Sequence, residues 1–183
     1  MQEIDFRDIE LNADRIFAEN WGLLAAGDKS DWNCMTISWG MLGSIWGQGW
    51  GEPSCIVFVR PQRYTKIFMD RSVRFSISFF PRSNQEDLRY LGSHSRWQVP
   101  DKVEHTCLTP DILNGEVVFK EAVLTLVCRK LYQQTMKEEC FIDQDTIKKW
   151  YPLKDFHDLY IARIEKTLIP DGSSVSDLKR LLS

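Results

Sequence analysis

The sequence lacks a block of basic residues. Its 183 residues include 23 Lys and Arg against 26 Asp and Glu, which gives a formal net charge of -3 at pH 7. Nucleic-acid binding depends on cationic side chains that neutralise phosphates, so this balance argues against a nucleic-acid partner. We expect a protein that does not bind nucleic acid.

Long apolar runs are also missing. No stretch approaches the roughly 20 apolar residues that cross a bilayer. The opening segment MQEIDFRDIE is acidic, whereas a secretory signal begins with a basic region followed by an apolar one. We therefore expect a cytoplasmic protein with no membrane partner.

Cysteine motifs are absent. Disulfide frameworks and zinc ribbons use closely spaced pairs, but the five cysteines are scattered and form no C-x-x-C: Cys34, Cys55, Cys107, Cys128 and Cys140. His105 and Cys107 form H-x-C without the further cysteine pair that a zinc site needs. The sequence predicts reduced, mostly buried thiols and no metal site.

Familiar catalytic motifs are missing as well. The chain has no G-x-S-x-G elbow and no P-loop, and its GQGWG segment does not match G-x-G-x-x-G. Aromatic residues are in mild excess, at 12% with seven Trp, and such side chains either fill a core or line a pocket for a flat ligand. This combination favours a bound organic cofactor that performs the chemistry while the protein positions it.

Strand-like patterns dominate what is present. Alternating or continuous apolar runs predict six strands: 21–26, 33–39, 54–59, 74–80, 116–135 and 157–169. The turn formers GDKSD join the first two strands into a hairpin, and KEAV predicts a bulge or bend that divides the fifth. Helical spacing predicts four short helices: 64–71, 84–92 with Gly92 as C-cap, 145–151, and 174–183 with Ser174 or Ser176 as N-cap.

The remaining segments predict loops. The glycine-rich segment 40–53 reads as a loop or a short helical turn, and 93–115 reads as a loop. The strand 74–80 is expected to be half-buried, with its serines on one face and its aromatic and aliphatic residues on the other. Many strands with short helices and no β-α-β alternation predict a mainly β protein, a β-barrel in one domain spanning 1–183.

Three polar clusters are candidates for binding. Asn33, Thr36 and Ser38 lie near the end of a strand, where they either meet a flat, polar-edged ligand or cap a turn. A second cluster, RPQRYT, places Arg60 and Arg63 before a helix, which suits either an anion site or a solvated face. The third cluster is the loop GSHSRWQVPDK, with Ser93, Ser95, Arg96 and Lys102. It is either a binding loop or an ordinary solvated loop.

Six segments together carry a family resemblance. In order and approximate spacing, NCMTISWGMLGSIW, VFVRPQRYTKIFMD, FSISFFP, LGSHS followed by DKV, EAVLTLVCRKLY and WYPLKDFHDLYIARIE resemble the flavin reductase-like proteins of the FMN-binding split-barrel fold. The resemblance implies a six-stranded Greek-key split barrel with added helices. It also implies a homodimer that binds FMN at or near the subunit interface.

The resemblance also implies the residues of the site. Its cofactor-binding positions are Asn33, Met35, Thr36, Ile37, Ser38, Trp39, Arg60, Arg63, Tyr64, Thr65, Ser78, Phe79, Ser93, Ser95 and Lys102. His157 matches a histidine found near the flavin in many members, and it is either a proton donor or a structural hydrogen-bonding group.

Two departures from the family pattern stand out. Relatives commonly read S-G-R-x-x-D-K where this chain has SRWQVPDK, so Trp97 and Pro100 intrude beside Arg96. The GQGWGEP connection is longer than usual, and Trp46 and Trp50 either cover the flavin or pack on the partner subunit.

The resemblance implies an FMN-dependent oxidoreductase that moves hydride or electrons, with NAD(P)H as a candidate donor and a small molecule or a redox protein as partner. The alternatives are a flavoredoxin-like electron carrier and a non-catalytic module that holds FMN or haem.

Overall fold

A computed structural model describes residues 1–49 and 51–181, with side chains to residue 178. Trp50 and the last two residues of the predicted C-terminal helix lie outside this description. The strands are β1 Gln2–Ile4, β2 Gly22–Gly27, β3 Trp32–Ile37, β4 Gly40–Ile45, β5 Glu52–Val59, β6 Arg74–Phe79, β7 Pro110–Leu113, β8 Glu116–Phe119, β9 Leu124–Thr135 and β10 Asp158–Ile169. The helices are α1 Arg15–Ala18, α2 Thr65–Arg71, α3 Gln85–Ser93, α4 Gln144–Trp150 and α5 Val175–Leu181.

The main sheet is curled into a barrel. Its strands follow the order β3-β2-β6-β9-β10-β5-β4, with β1 added on β10, so β3 and β4 lie at opposite ends. Yet only Ser38 and Trp39 separate these two strands in the chain. Because an extended chain advances about 3.6 Å per residue, the two ends of the sheet meet within about 11 Å. The barrel is therefore split between β3 and β4, at the junction that Ser38 and Trp39 form.

The prediction of a loop over 40–53 was wrong at both ends of the segment, because β4 begins at Gly40 and β5 begins at Glu52. Residues 40–45 form β4, which pairs with β5 from Gly40 opposite Val57 to Ile45 opposite Glu52. The glycines suggested a loop, but the neighbouring edge of β5 supplies a full ladder of hydrogen bonds. Over the described residues the sheet path consequently has seven strands, where the resemblance implied six.

Strand β6 is buried on both faces, so the half-buried expectation was wrong. Ser76 is 1% and Ser78 0% exposed. Ser76 donates to the Val117 carbonyl and Ser78 shares a 2.9 Å hydrogen bond with Thr125. The small β7–β8 hairpin covers this face, which also corrects part of the predicted loop 93–115.

Gly92 is not the C-cap of α3, because the helix continues to Ser93 and its C-cap is His94. Ser93 Oγ instead donates back to the carbonyls of Arg89 and Tyr90, at 2.9 and 3.0 Å. The hairpin β2–β3, the break between β8 and β9, and helices α2 and α4 agree with the sequence predictions.

Three of the five cysteines are buried, as predicted, and Cys107 and Cys140 are exposed. Within the described ranges no helix is long and apolar enough to cross a membrane, and no cluster of side chains suits a metal ion. A cytoplasmic location stays a prediction.

Candidate functional site

The edge strand β3 presents backbone groups that no strand pairs. Among the described residues β3 pairs only with β2. On its other edge the Trp32 carbonyl accepts from Arg96 and the Cys34 carbonyl from Lys102, both at 2.7 Å. Ladder groups alternate between the two edges with a period of two, so the backbone N–H and C=O of Thr36 face this same free edge.

A cleft of about 250 Å³ lies at this end of β3. It is lined by Met35, Thr36, Ile37, Ser38, Trp39, Phe58, Arg60, Arg63, Trp150 and His157. Met35 and Ile37 point their side chains into the core, while Thr36 is half-buried and Ser38 and Trp39 are exposed. The junction between β3 and β4, two residues long, therefore forms one wall of the cleft.

Arg60 lines the cleft, but its positive charge is already neutralised by a carboxylate of the protein. Its guanidinium forms an ion pair with Asp155 and donates to the Trp150 carbonyl at 2.9 Å. Gln62 donates to the same Asp155 carboxylate at 2.7 Å, and these two donors hold the pKa of Asp155 below its usual value. Arg60 thus ties the end of β5 to the segment after α4.

Arg63 differs from Arg60 because no carboxylate pairs with it among the residues the structure describes. Its guanidinium is exposed and donates to the Gly92 carbonyl at 3.1 Å, near the C-terminus of α3. A helix C-terminus favours a cation. Four of the five guanidinium N–H groups of an arginine remain after one such bond, enough to hold an anion.

His157 forms the inner wall of the cleft. Its Nδ1 shares a 2.8 Å hydrogen bond with the Tyr151 hydroxyl, and its ring lies 4.9 Å from that of Trp39. Burial, and then the charge of Arg60, lower the pKa of His157 to about 4. The imidazole is therefore neutral at pH 7, and it can share a hydrogen bond but carries no extra proton to give away.

This pKa predicts a pH-dependent stability. The unfolded histidine takes up a proton near pH 6.5 and the folded one only near pH 4, so the contribution is present above pH 6.5 and is lost as the pH falls towards 4. The full shift corresponds to about 3 kcal/mol, and partial solvent access reduces it to about 1.5 kcal/mol. Urea unfolding at pH 7 and pH 4 should show that His157→Gln loses less stability than the wild type over this range by that amount. Equal losses would contradict the assignment.

Other predicted site residues form contacts inside the protein, away from the cleft. Asn33 Nδ2 donates to Thr65 Oγ1 at 3.0 Å, and both side chains are buried. Ser78 and Phe79 lie in the core, 0% exposed. These side chains do not line the cleft, and their assignment to the cofactor stays a prediction.

The predicted loop residues stabilise the protein around the C-terminus of α3. Lys102 is 2% exposed, and its ammonium donates to the carbonyls of Cys34, Leu91 and His94 at 2.7, 3.3 and 3.1 Å. Ser95 Oγ accepts from the backbone of Trp97. Asn33 and Lys102 line a separate groove of about 370 Å³ at the N-terminal end of β3.

The altered loop has its own packing. Arg96 pairs with Asp31 at 2.8 Å in addition to its bond to the Trp32 carbonyl. Trp97 is 77% exposed, and its ring lies 6.2 Å from that of the predicted site residue Tyr64. Arg96 therefore closes the edge of β3 and does not line the cleft.

Sequence reasoning missed two residues that line the cleft. Phe58 follows the alternating pattern of β5 and points outward, whereas its neighbours Val57 and Val59 are buried. Trp150 is the last residue of α4 and packs edge-to-face on Trp39 at 5.5 Å. The alternation of β5 was a signal for Phe58, but the meeting of Trp39 with Trp150 depends on the tertiary fold.

No profile of a known protein family and no curated protein matches the sequence. Solved structures do match. An FMN-binding protein from Thermus thermophilus with bound p-hydroxybenzaldehyde has a TM-score of 0.63 and 17% identity over 94% of this chain and 83% of that chain. A flavoredoxin from Methanosarcina acetivorans has a TM-score of 0.59 and 20% identity over 90% and 76%. The styrene monooxygenase flavin reductase from Pseudomonas putida S12 has a TM-score of 0.57 and 17% identity over 85% and 84%.

At these identities the likeness shows the fold. The chain is a split barrel of the kind found in FMN-binding flavin reductase-like proteins. This confirms the fold class that the sequence predicted.

Proposed function

We propose that this protein is an FMN-binding, flavin reductase-like oxidoreductase. The observation that carries the proposal is the cleft at the barrel junction, where the free backbone edge at Thr36 lies beside Arg63. A flavin has a flat ring with a polar edge at one end and a phosphate at the other. The backbone edge at Thr36 suits the polar edge of the ring, and Arg63 suits the phosphate. The fold likeness to FMN-binding proteins supports the same ligand.

Bound FMN would supply a ring that accepts and delivers hydride or electrons. The backbone of Thr36 would hydrogen-bond the polar edge of the ring, and Arg63 would bind the phosphate. Trp39 and the neutral imidazole of His157 would exclude water from one side. No side chain of the chain needs to act as an acid or base for hydride transfer.

The absorbance spectrum of the purified protein tests the proposal. FMN added at about 100 times its Kd should raise the unfolding free energy by roughly 2.7 kcal/mol, and a colourless protein without this gain would refute flavin binding. NADH or NADPH should then bleach the flavin band under anaerobic conditions in stopped flow. Bound FMN that neither donor bleaches would favour the electron carrier or the non-catalytic module over a reductase that uses NAD(P)H.

Arg63→Ala should weaken FMN binding about tenfold, because a hydrogen bond to a charged group contributes roughly 1.5 kcal/mol or more. Riboflavin, which lacks the phosphate, should lose less than half of that free energy. Isothermal titration with both ligands measures the difference. Arg60→Ala is the matched comparison: because Asp155 already neutralises Arg60, its phosphate-specific loss should be smaller. Equal losses of FMN and riboflavin in Arg63→Ala would place the phosphate elsewhere.

We also propose a homodimer, and an apolar row on the outside of the barrel supports it. Met41, Ile56, Ile161 and Tyr132 lie directly opposite one another on β4, β5, β10 and β9. Residues opposite one another share a face of the sheet, and Met41 and Tyr132 are 56% and 43% exposed. A contiguous apolar surface of this kind marks an interaction site, and its end at Met41 adjoins the split of the barrel.

Sedimentation should therefore give twice the 21.4 kDa chain mass. Ile161→Lys should shift the protein to monomer, because it places a charge in the middle of the row. Ile142→Lys is the control, since Ile142 is fully exposed and lies outside the row. A monomeric wild type, or an Ile161→Lys variant that remains dimeric, would contradict this interface.

A further inference from the structure

A second cavity, of about 610 Å³, adjoins the cleft. We call it the aromatic chamber, because six of its lining residues are aromatic: Phe17, Trp39, Phe58, Phe141, Trp150 and Tyr151. Trp39, Phe58 and Trp150 line the cleft as well. The edge-to-face pair of Trp39 and Trp150, with ring centres 5.5 Å apart, therefore forms part of the boundary between the two cavities.

Buried and tightly packed aromatic side chains form the inner wall of the chamber. Phe17 and Tyr151 are 2% and 3% exposed. Phe17 packs edge-to-face on Phe79 of the core, and Tyr151 packs on Phe141 and Phe156 at 5.6 and 5.0 Å. Such a preformed aromatic cavity of this size lies within the range of small-molecule sites, about 300–1,000 Å³.

The polar groups of the chamber are few. The Tyr151 hydroxyl is bonded to His157 Nδ1 at 2.8 Å, and the Thr146 hydroxyl donates to Asp143 at 2.7 Å. Among the described residues the Ser38 hydroxyl has no protein partner, so it is the one side-chain hydroxyl left for a ligand.

The charge of the chamber is acidic and small. Asp14 is the only charged side chain that the structure places in the lining, which includes no Lys or Arg among the described residues. An anionic ligand, including the pyrophosphate of a nicotinamide dinucleotide, would meet a carboxylate and no counter-charge. The lining thus favours a ligand without negative charge.

We propose that the aromatic chamber binds an uncharged aromatic molecule of about one to three rings. Its rings pack between the Trp39–Trp150 pair and Phe17, and a single polar substituent reaches Ser38. This site adjoins the cleft and shares Trp39, Phe58 and Trp150 with it, but the proposal does not rest on flavin binding.

Two fluorescent probes with the same ring system test the proposal. N-phenyl-1-naphthylamine is neutral, and 8-anilinonaphthalene-1-sulfonate carries one negative charge. The neutral probe should bind with one saturable site per chain and receive energy from tryptophan. The sulfonate should bind about tenfold more weakly, since Asp14 opposes it. Asp14→Asn should narrow this difference and leave the neutral probe unchanged.

Ala18→Trp should block the chamber. Ala18 lines it and is exposed at the end of α1, so the larger side chain fills space without displacing a buried group. We expect about tenfold weaker binding of the neutral probe. Ala13→Trp is the matched control, because Ala13 is also exposed but does not line the chamber.

Several results would overturn the proposal: no saturable binding of the neutral probe, equal affinity for the sulfonate, or an Ala18→Trp variant that binds like Ala13→Trp. Displacement of the probe by FMN would show that the chamber belongs to the flavin site. Probe binding that weakens as protein concentration rises would show that a second copy of the chain fills it. If the probe binds and FMN does not, the chamber stands and the proposed flavin function fails.

Discussion

Lys102→Met should destabilise the protein by about 3 kcal/mol. The ammonium of Lys102 is 2% exposed and donates to three backbone carbonyls, those of Cys34, Leu91 and His94. Burial lowers its pKa, so the charge is costly to hold there. Methionine removes that cost, but it leaves the buried carbonyls of Cys34 and Leu91 and the partly buried carbonyl of His94 without this donor, at roughly 1–3 kcal/mol for a buried group. The second effect is the larger, because the ammonium satisfies all three carbonyls at once.

Urea unfolding followed by circular dichroism measures this loss. Lys137→Met is the matched control, since Lys137 is exposed, and it should change stability by less than about 0.5 kcal/mol. A Lys102→Met variant as stable as this control would mean that water replaces the ammonium. FMN affinity separates a structural role from a cofactor-binding role. If the variant keeps its fold at low temperature but its affinity falls far more for FMN than for riboflavin, Lys102 binds the phosphate.

The sequence predicted the strand and helix pattern well because most elements carry a local signal. The turn GDKSD lies between two apolar runs and gives the β2–β3 hairpin, and the KEAV interruption separates β8 from β9. The resemblance then supplied the topology, which alternation alone does not encode. Strand β4 was missed because its glycines are a loop signal locally, while its pairing with β5 is a tertiary fact.

The candidate site was predicted less completely, for a related reason. A sequence shows which side chains are polar but not which ones the fold already satisfies. Lys102 meets Cys34 across 68 positions, and Ser78 meets Thr125 across 47. These long-range partners occupy groups that the resemblance assigned to the cofactor. Thr36, Ser38, Arg63 and His157 line the cleft together because the barrel junction brings β3, β5 and the start of β10 to one place.

Gly40→Ala should cost about 1–3 kcal/mol, since an added side chain that overlaps a packed ring forces neighbouring atoms to move. A Cβ built on Gly40 lies 2.5 to 2.8 Å from three ring atoms of Phe17. Phe17 is itself 2% exposed and packed edge-to-face on Phe79, so the ring cannot move towards the core without disturbing that contact. Gly40 therefore allows the chain to pass directly over Phe17 as it turns from β3 into β4.

The matched control lies on the same strand. A Cβ on Gly43 meets nothing within 4 Å, so Gly43→Ala should be neutral or stabilise by about 0.4–1 kcal/mol through the unfolded chain. Urea midpoints of the two variants measure the difference. Because Gly40 directly follows Trp39, the same substitution should also weaken FMN binding if Trp39 covers the cofactor, whereas Gly43→Ala should not. If Gly40→Ala is as stable as Gly43→Ala, the junction between β3 and β4 moves to accommodate the added side chain. The close contact of Gly40 with Phe17 would then not hold the wall of the cleft in place.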